Sequence, residues 1–249
     1  MSKPQPDHHL LPAAHALAWR PLAAAVLALA AGAAQAVTPS HFYSLDNSLA
    51  DALGGPALVS QGGTLDASHY NFGVNQGLQL HNAVQTDVYT IDLQFSFDAT
   101  SGYRRIVDFK AGGSDTGLYQ LDTALNFYNV ATSAGGLFAA SQPVRVTLSR
   151  DAAGQFTGYV NGAQAISFLD STGMARFDTA NQQARFFIDD NAVGGEASAG
   201  WVNSIAIYDQ ALTAQQIATL APAVPEPASF ALLGLGLAGL AATRRRQPA

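Results

Sequence analysis

The 249-residue chain contains no cysteine and few charged residues. The absence of cysteine excludes a disulfide framework, a thiol nucleophile and zinc sites with thiolate ligands. Charged residues make up 12% of the chain, about half of the usual ~25%. The formal net charge of −6 argues against nucleic acid as a partner, because phosphate binding needs clustered basic side chains. Hydrophobic residues, by contrast, reach 48%, which excludes a largely disordered chain.

Residues 1–36 have the pattern of a secretory signal peptide. Two basic residues precede an apolar run from Leu22 to Ala34. The run ends at Ala34-Gln35-Ala36, the small-x-small pattern that a signal peptidase accepts. We predict cleavage after Ala36, which would export the rest of the chain through the inner membrane.

Residues 223–249 contain three elements in order: the Pro225-Glu226-Pro227 motif (within 224–227), an uncharged stretch at 228–243, and Arg244, Arg245 and Arg246. As a helix the uncharged stretch would be about 24 Å long. This is slightly shorter than a hydrocarbon core of ~30 Å, and local thinning of the bilayer covers such a gap. We predict a transmembrane helix with its arginine end in the cytoplasm, because basic residues favour that side.

The tripartite tail resembles the PEP-CTERM sorting signal of Gram-negative bacteria. The resemblance implies recognition by an exosortase, which is a membrane protease or transpeptidase, and loss of the helix. The product would be periplasmic, on the cell surface or extracellular, and the family usually accompanies exopolysaccharide production. The alternative is a plain membrane anchor. Gly234 to Gly239 also spells G-x-G-x-x-G, but the run is apolar throughout and ends ten residues before the last residue, too few for the acidic residue expected about 20 positions on, so nucleotide binding is not predicted.

Residues 37–222 form the predicted domain. Seven basic and sixteen acidic residues give this segment a net charge near −9, which makes nucleic acid and anionic lipid poor partners. Fifteen of the acidic residues are Asp and one is Glu196. Because Asp favours turns and Glu favours helices, this bias predicts strands and loops.

Apolar and polar residues alternate over Val88–Phe97, which predicts a strand buried on one face. Val144–Leu148 repeats the pattern, and Asn161-Gly162 predicts a type I′ turn in the hairpin that follows. The capping box Thr213–Gln216 predicts a helix that ends by Leu220. Further strands are predicted at Phe42–Leu45, Leu78–His81, Arg105–Phe109, Leu118–Leu121, Ala124–Tyr128, Phe156–Val160, Gln164–Phe168, Arg185–Asp189 and Val202–Tyr208.

Residues 40–220 resemble laminin-G-like, concanavalin A-like jelly-roll domains. The resemblance is carried by Val146–Asp151, Gly158–Gly162 and Ser204–Asp209 followed by Ala211–Thr213, in that order. It implies an all-β, antiparallel jelly-roll sandwich with one short C-terminal helix. It implies no single activity, because family members bind sugars, bind proteins or cleave glycans.

No catalytic residues are predicted. Glycan cleavage needs two carboxylates at a set separation, and the glucanases of this fold carry Glu-x-Asp-x-x-Glu. A domain whose one glutamate is Glu196 lacks that motif. An acyl-transfer triad is not predicted either, because no histidine follows His81 and Gly195–Gly200 does not match G-x-S-x-G.

Non-catalytic binding of a polysaccharide or a surface protein is therefore the predicted function. The alternatives are a glycan-cleaving enzyme and a purely structural matrix component. Sugar sites use exposed aromatic rings together with polar groups, and the candidates are Tyr103, Tyr119, Tyr128 and Trp201. The pair Arg104-Arg105 is either a contact for a polyanion or a solvated pair in a turn.

One structural calcium ion is predicted from an acidic loop, because laminin-G-like domains often hold calcium at the rim of the sandwich. Calcium takes six to eight oxygen ligands. Within the loop the candidate ligands are Asp189, Asp190, Asn191 and Glu196, and the remote candidates are Asp46 and Asp51. The alternative is that these side chains only cap turns.

Overall fold

The computed structural model describes residue 1 and residues 37–85, 87–178 and 182–220. The predicted signal peptide, the sorting motif and the predicted helix at 228–243 lie outside this part of the chain. Among the described residues, no helix is long and apolar enough to cross a membrane.

The described residues form fifteen strands and one helix. In chain order they are β1 His41–Tyr43, β2 Val59–Gln61, β3 Thr64–Leu65, β4 Tyr70–Phe72, β5 Gly77–Leu80, β6 Tyr89–Phe97, β7 Tyr103–Asp108, β8 Gly117–Leu121, β9 Ala124–Phe127, β10 Ala131–Thr132, β11 Val144–Arg150, β12 Gln155–Val160, β13 Ala163–Leu169, β14 Ala184–Phe186, β15 Gly200–Tyr208 and α1 Ala214–Leu220.

The strands form two antiparallel sheets. Sheet A has the order β13-β12-β11-β6-β15-β4-β3, with β1 also paired to β15. Sheet B has the order β10-β9-β8-β7-β14-β5-β2. The predicted all-β sandwich with one short C-terminal helix is confirmed.

Aromatic side chains fill much of the core between the sheets. Phe187 stacks on Phe72 with ring centroids 4.7 Å apart, and it also contacts Phe95 and Phe97. Its backbone φ is 69°, a conformation that is uncommon for a bulky residue. Burial of one such ring contributes about 1.5–3 kcal/mol, which offsets the backbone strain.

The same residue explains a difference from the sequence prediction. The strand predicted at Arg185–Asp189 ends at Phe186. A residue at positive φ cannot continue an extended strand, so the chain turns at Phe187 into the acidic loop.

The main difference from the predicted strand pattern is that the outer face of β6 is also largely buried. The alternation is present, but Thr90, Asp92 and Ser96 are buried as well as the apolar residues. β6 lies at the centre of sheet A, and the segment before α1 covers part of its outer face. Thr90 Oγ1 accepts the N–H of Leu212 at 2.9 Å and donates to the carbonyl of Gln210 at 2.8 Å.

The predicted helix cap is confirmed. The N–H of Thr213 donates to Gln216 Oε1 at 2.9 Å, and the N–H of Gln216 donates to Thr213 Oγ1 at 3.3 Å. Leu212 and Ile217 flank this cap and pack on the outer face of sheet A against Tyr208. The helix is therefore held by one local cap and one apolar cluster.

The β12–β13 hairpin also forms as predicted. Asn161 and Gly162 have φ values of 50° and 81°, as a type I′ turn requires. Strands β2, β3, β4 and β10 were not predicted. Each has two or three residues, which is too short for an alternation to be recognised.

Replacement of Gly162 by Val tests the hairpin. A β-branched side chain at positive φ is sterically strained, so Gly162→Val should destabilise the domain by on the order of 1–3 kcal/mol. Chemical denaturation of the isolated domain measures this change. Gly194→Val is the matched control, because its new Cβ would meet nothing within 4 Å. Equal stability of the two variants would contradict the turn assignment.

Candidate functional site

Trp201 lies near the start of β15 on the outer face of sheet A. It is directly opposite Asn71 on β4 and Ser96 on β6, and Asn71 in turn is opposite Thr64 on β3. Because opposite residues on paired strands share a face, these four side chains form one row across four strands. Trp201 is half-buried, so part of its ring is accessible.

A bulge in β15 places a second polar group beside this row. The register with β6 shifts between Val202 and Ser204, which leaves Asn203 as the extra residue. A bulge changes the direction of the side chain that it carries. Asn203 Nδ2 donates to the carbonyl of Ser68 at 3.0 Å, next to His69. The His69 ring lies 4.4 Å from the Trp201 ring between centroids.

Two open cavities lie on either side of Trp201, and together we call them the Trp201 groove. The Arg145 cavity has a volume of about 370 Å³ and is lined by His69, Gln94, Pro143, Val144, Arg145, Asn161, Trp201 and Asn203. The Asp98 cavity has a volume of about 490 Å³ and is lined by Gly63, Thr64, Asn71, Phe72, Gly73, Gln76, Asp98, Gly200 and Trp201.

The positive charge of Arg145 is neutralised by the Asp92 carboxylate in the groove wall. Arg145 Nε lies 2.8 and 2.9 Å from the two oxygens of Asp92, and Nη2 lies 2.6 Å from Oδ2. Thr147 Oγ1 also donates to Asp92, at 2.6 Å. These charge-assisted bonds fix the guanidinium in place. The Arg145 cavity therefore offers oriented polar groups with little net charge.

Three of the four predicted ligand contacts meet on sheet B, away from Trp201. The rings of Tyr103, Tyr119 and Tyr128 lie 5.4–6.1 Å apart between centroids. Tyr119 is fully buried, which removes it from the candidate ligand contacts. Tyr103 and Tyr128 are half-buried and form a smaller aromatic surface.

Arg105, beside these tyrosines, is fully buried and is not a solvated turn residue. Its guanidinium contacts Tyr119 and Asp190. It also lies 3.4 Å from Asp115, 3.7 Å from Glu196 and 4.0 Å from Asp189. We call Arg105 and these four carboxylates the Arg105 cluster.

The Arg105 cluster contains part of the predicted calcium site. Asp115, Asp190 and Glu196 have carboxylate oxygens within 4.8 Å of one another, but a buried guanidinium already lies among them. A calcium ion added there would meet this fixed positive charge. The geometry therefore favours Arg105 as the cation of the cluster, and calcium binding stays a prediction.

The other candidate calcium ligands lie elsewhere. Asp51 is buried and accepts hydrogen bonds from His41 Nδ1 at 2.7 Å and from the N–H groups of Phe42, Leu53 and Gly55, each at 2.9 Å. Asp46 and Asn191 are exposed. Asp51 therefore anchors the loop after β1. The remote carboxylate at the cluster is Asp115, which the sequence analysis missed.

The pKa values of Asp190 and Glu196 in the Arg105 cluster are shifted in opposite directions. Burial favours the neutral form of Asp190, but hydrogen bonds from Arg105 and from the N–H groups of Val193 and Ala192 outweigh it and lower the pKa. Burial, reinforced by the Asp115 carboxylate, raises the pKa of Glu196 to about 7. Glu196 is therefore the acid of this cluster that titrates near neutral pH.

Glu196→Gln tests this raised pKa. The folded protein keeps a proton on Glu196 that the unfolded chain, with a value near 4.5, loses earlier. Ionisation of Glu196 therefore lowers the free energy of unfolding as the pH rises. This loss is absent below about pH 4.5 and complete above about pH 7. Relative to the parent, the variant should gain about 1–3 kcal/mol more at pH ~8 than at pH ~5. Denaturation curves at both pH values measure this gain, with the surface variant Asp46→Asn as control. Parallel curves for Glu196→Gln and the parent would contradict it.

Several residues of the groove were not identified from the sequence. The alternation of Val144–Leu148 places Arg145 on the outer face, so that pattern could have suggested it. His69 and Asn203 carry no such signal, because one lies in a turn and the other in a bulge.

The comparisons with known proteins address the sorting motif and the fold. Residues 223–246 match the PEP-CTERM protein-sorting motif. The motif implies processing by an exosortase, a membrane protein, and export to the cell envelope. No curated protein sequence matches the chain significantly.

Solved structures resemble the fold at low sequence identity. Domain 4 of the extracellular arabinanase AbnA from Geobacillus stearothermophilus, in complex with arabinotriose, has a TM-score of 0.54 and 18% identity; the match covers 74% of this chain and 98% of that domain. Trypanosoma rangeli sialidase gives 0.58 and 16%, with 76% and 33% covered. The botulinum neurotoxin serotype D binding domain gives 0.51 and 12%, with 74% and 51% covered. The chain thus spans a third to a half of the last two. It carries a PEP-CTERM sorting motif and has the two-sheet sandwich fold.

Proposed function

We propose that this protein is exported and sorted by an exosortase, and that its sandwich domain binds carbohydrate at the cell surface or in an exopolysaccharide matrix without cleaving it. The observation that carries the proposal is the Trp201 groove. It combines a half-exposed indole, an adjacent histidine ring and several fixed amide and guanidinium groups in an open cavity of about 370 Å³. Sugar rings pack on aromatic faces and bind such polar groups through their hydroxyls.

The arabinanase domain supports this choice of ligand. The alignment covers 98% of that domain, whose structure was solved with arabinotriose. At 18% identity the similarity concerns the fold, so the ligand of this chain is argued from its own groove.

The arrangement of carboxylates favours binding over cleavage. A glycosidase needs two carboxylates that flank the bond to be cleaved. Among the described residues that line the groove, the carboxylate is Asp98. Asp92 lies in the wall and is bonded to Arg145, and Asp115 and Glu196 are bonded around Arg105 on sheet B.

Binding is tested with the exopolysaccharide of the producing organism, immobilised in an affinity gel. Trp201→Ala should lose most of its retention, about tenfold or more in affinity, because the aromatic platform is removed. Tyr128→Ala is the matched control, since it removes a half-buried aromatic side chain from the other sheet and should bind normally. Thermal melts show whether both variants fold.

The outcomes separate the alternatives. Loss of retention in Tyr128→Ala but not in Trp201→Ala would move the site to the tyrosine surface. Release of reducing ends from the polysaccharide would identify an enzyme. No retention of the parent protein on any glycan would leave the structural matrix role.

The sorting tail is tested in the producing organism. Replacement of Arg244, Arg245 and Arg246 by alanine should block removal of the helix, because these charges set its orientation in the membrane. Cell fractionation and peptide mass spectrometry measure the result. Replacement by lysine is the matched control and should keep correct sorting. If the parent's mature form retains peptides from Leu232–Leu240, the tail is a plain anchor and is not processed.

A further inference from the structure

We propose that the Trp201 groove binds an internal segment of a neutral polysaccharide chain, in two subsites that Trp201 separates. This inference rests on the proposed carbohydrate-binding function and specifies the class of ligand. It follows from the shape of the groove, from the polar groups on each side of the indole and from the charge of the domain.

The shape of the groove favours a chain over a single sugar. Trp201 lines both the Arg145 cavity and the Asp98 cavity, so one indole can stack between two occupied subsites. The lining extends from Thr64 on β3 to Arg145 on β11, across β4, β15 and β6. Four strand spacings of about 4.8 Å make this about 19 Å. That length exceeds one sugar ring and fits a short oligosaccharide.

The open form of both cavities favours an internal segment over a chain end. Recognition of a chain end needs a closed wall at one side of the site. Here each cavity opens to solvent, and the two share the Trp201 side chain in their linings. A polysaccharide can therefore enter at one side and leave at the other.

Both subsites have polar side chains for sugar hydroxyls. The Arg145 cavity offers Gln94 and Asn203, and the Asp98 cavity offers Asn71 and Asp98. Each subsite therefore offers two side chains that can form hydrogen bonds with sugar hydroxyls.

The electrostatics favour a neutral polymer. The segment 37–222 has a net charge near −9, which repels polyanions such as uronic acid polymers. Arg145, the guanidinium of the groove, is already paired with Asp92. The exposed Asp98 adds a negative charge at the other end. A neutral polysaccharide chain is not repelled by these negative charges and does not need a free cation in the groove.

Chain length is the first measurement. The probes are fragments of the neutral exopolysaccharide fraction from the producing organism, separated by size from one to eight residues. Calorimetric titration of the purified mature protein should show that affinity rises about tenfold or more from two sugar residues to six and then levels off. Binding should change little between ~50 mM and ~500 mM NaCl, because screening affects only charged partners.

Variants on each side of Trp201 are the second measurement. Gln94→Ala alters the Arg145 cavity, and Asp98→Ala alters the Asp98 cavity. Each should weaken binding of the six-residue fragment about tenfold and remove its advantage over the two-residue fragment. Tyr128→Ala, on the other sheet, is the control and should leave the length dependence unchanged. Melting curves identify any variant that fails to fold. Trp201→Phe keeps an aromatic ring at this position and should retain partial binding.

The failures of the two proposals are distinguishable. Equal affinity for one residue and for the polymer, or an effect of only one of the two cavity variants, would overturn the two-subsite inference and leave carbohydrate binding intact. Binding that is lost at high salt, or that requires the acidic polysaccharide fraction, would overturn the neutral ligand. Absence of binding to the polymer and to every fragment would overturn the proposed function itself.

Discussion

The pairing of β15 with β6 is the constraint on which the rest of the structure depends. β15 is the last strand among the described residues, yet it inserts between β6 and β4 at the centre of sheet A. The register runs from Gly200 opposite Phe97 to Tyr208 opposite Thr90, so the pairing closes a loop of about a hundred residues. A slip by one residue would turn every β15 side chain to the other face. Trp201 would then point into the core.

Side-chain contacts of β6 explain why Thr90 and Asp92 on its outer face are polar and yet buried. Asp92 on β6 is bonded to Arg145 and Thr147 on β11, and Thr90 binds the segment that leads into α1. A buried carboxylate without partners would be costly, so these bonds are needed to keep the face intact. These bonds also affect what the groove can bind, because the Arg145 guanidinium is already paired with Asp92. The groove presents fixed polar groups and not a free cation.

Local patterns predicted the fold better than they predicted the site. The alternation of Val88–Phe97, the Asn161-Gly162 turn and the cap at Thr213 depend on neighbours in the sequence, and each is present. The Arg105 cluster depends on side chains that come together only in three dimensions. The sequence analysis left Arg104-Arg105 as either a polyanion contact or a solvated pair. No local pattern predicts Asp115, Asp190 or Glu196 as partners of Arg105. Trp201 was selected for its residue type, whereas the residues around it come from β3, β4, β6, β11 and several turns.

The Arg105 cluster and the Trp201 groove are connected along the chain. Glu196 belongs to the Arg105 cluster, and its carbonyl accepts the N–H of Arg105 at 2.8 Å. Five residues later the chain reaches Trp201, through Ala197 and Ser198, which are both buried. The backbone of the acidic loop is thus tied to sheet B just before β15 enters sheet A. This backbone bond restrains the chain five residues before Trp201. The Arg105 guanidinium adds a second restraint, because it lies among the Asp189, Asp190 and Glu196 carboxylates of the acidic loop that leads into β15.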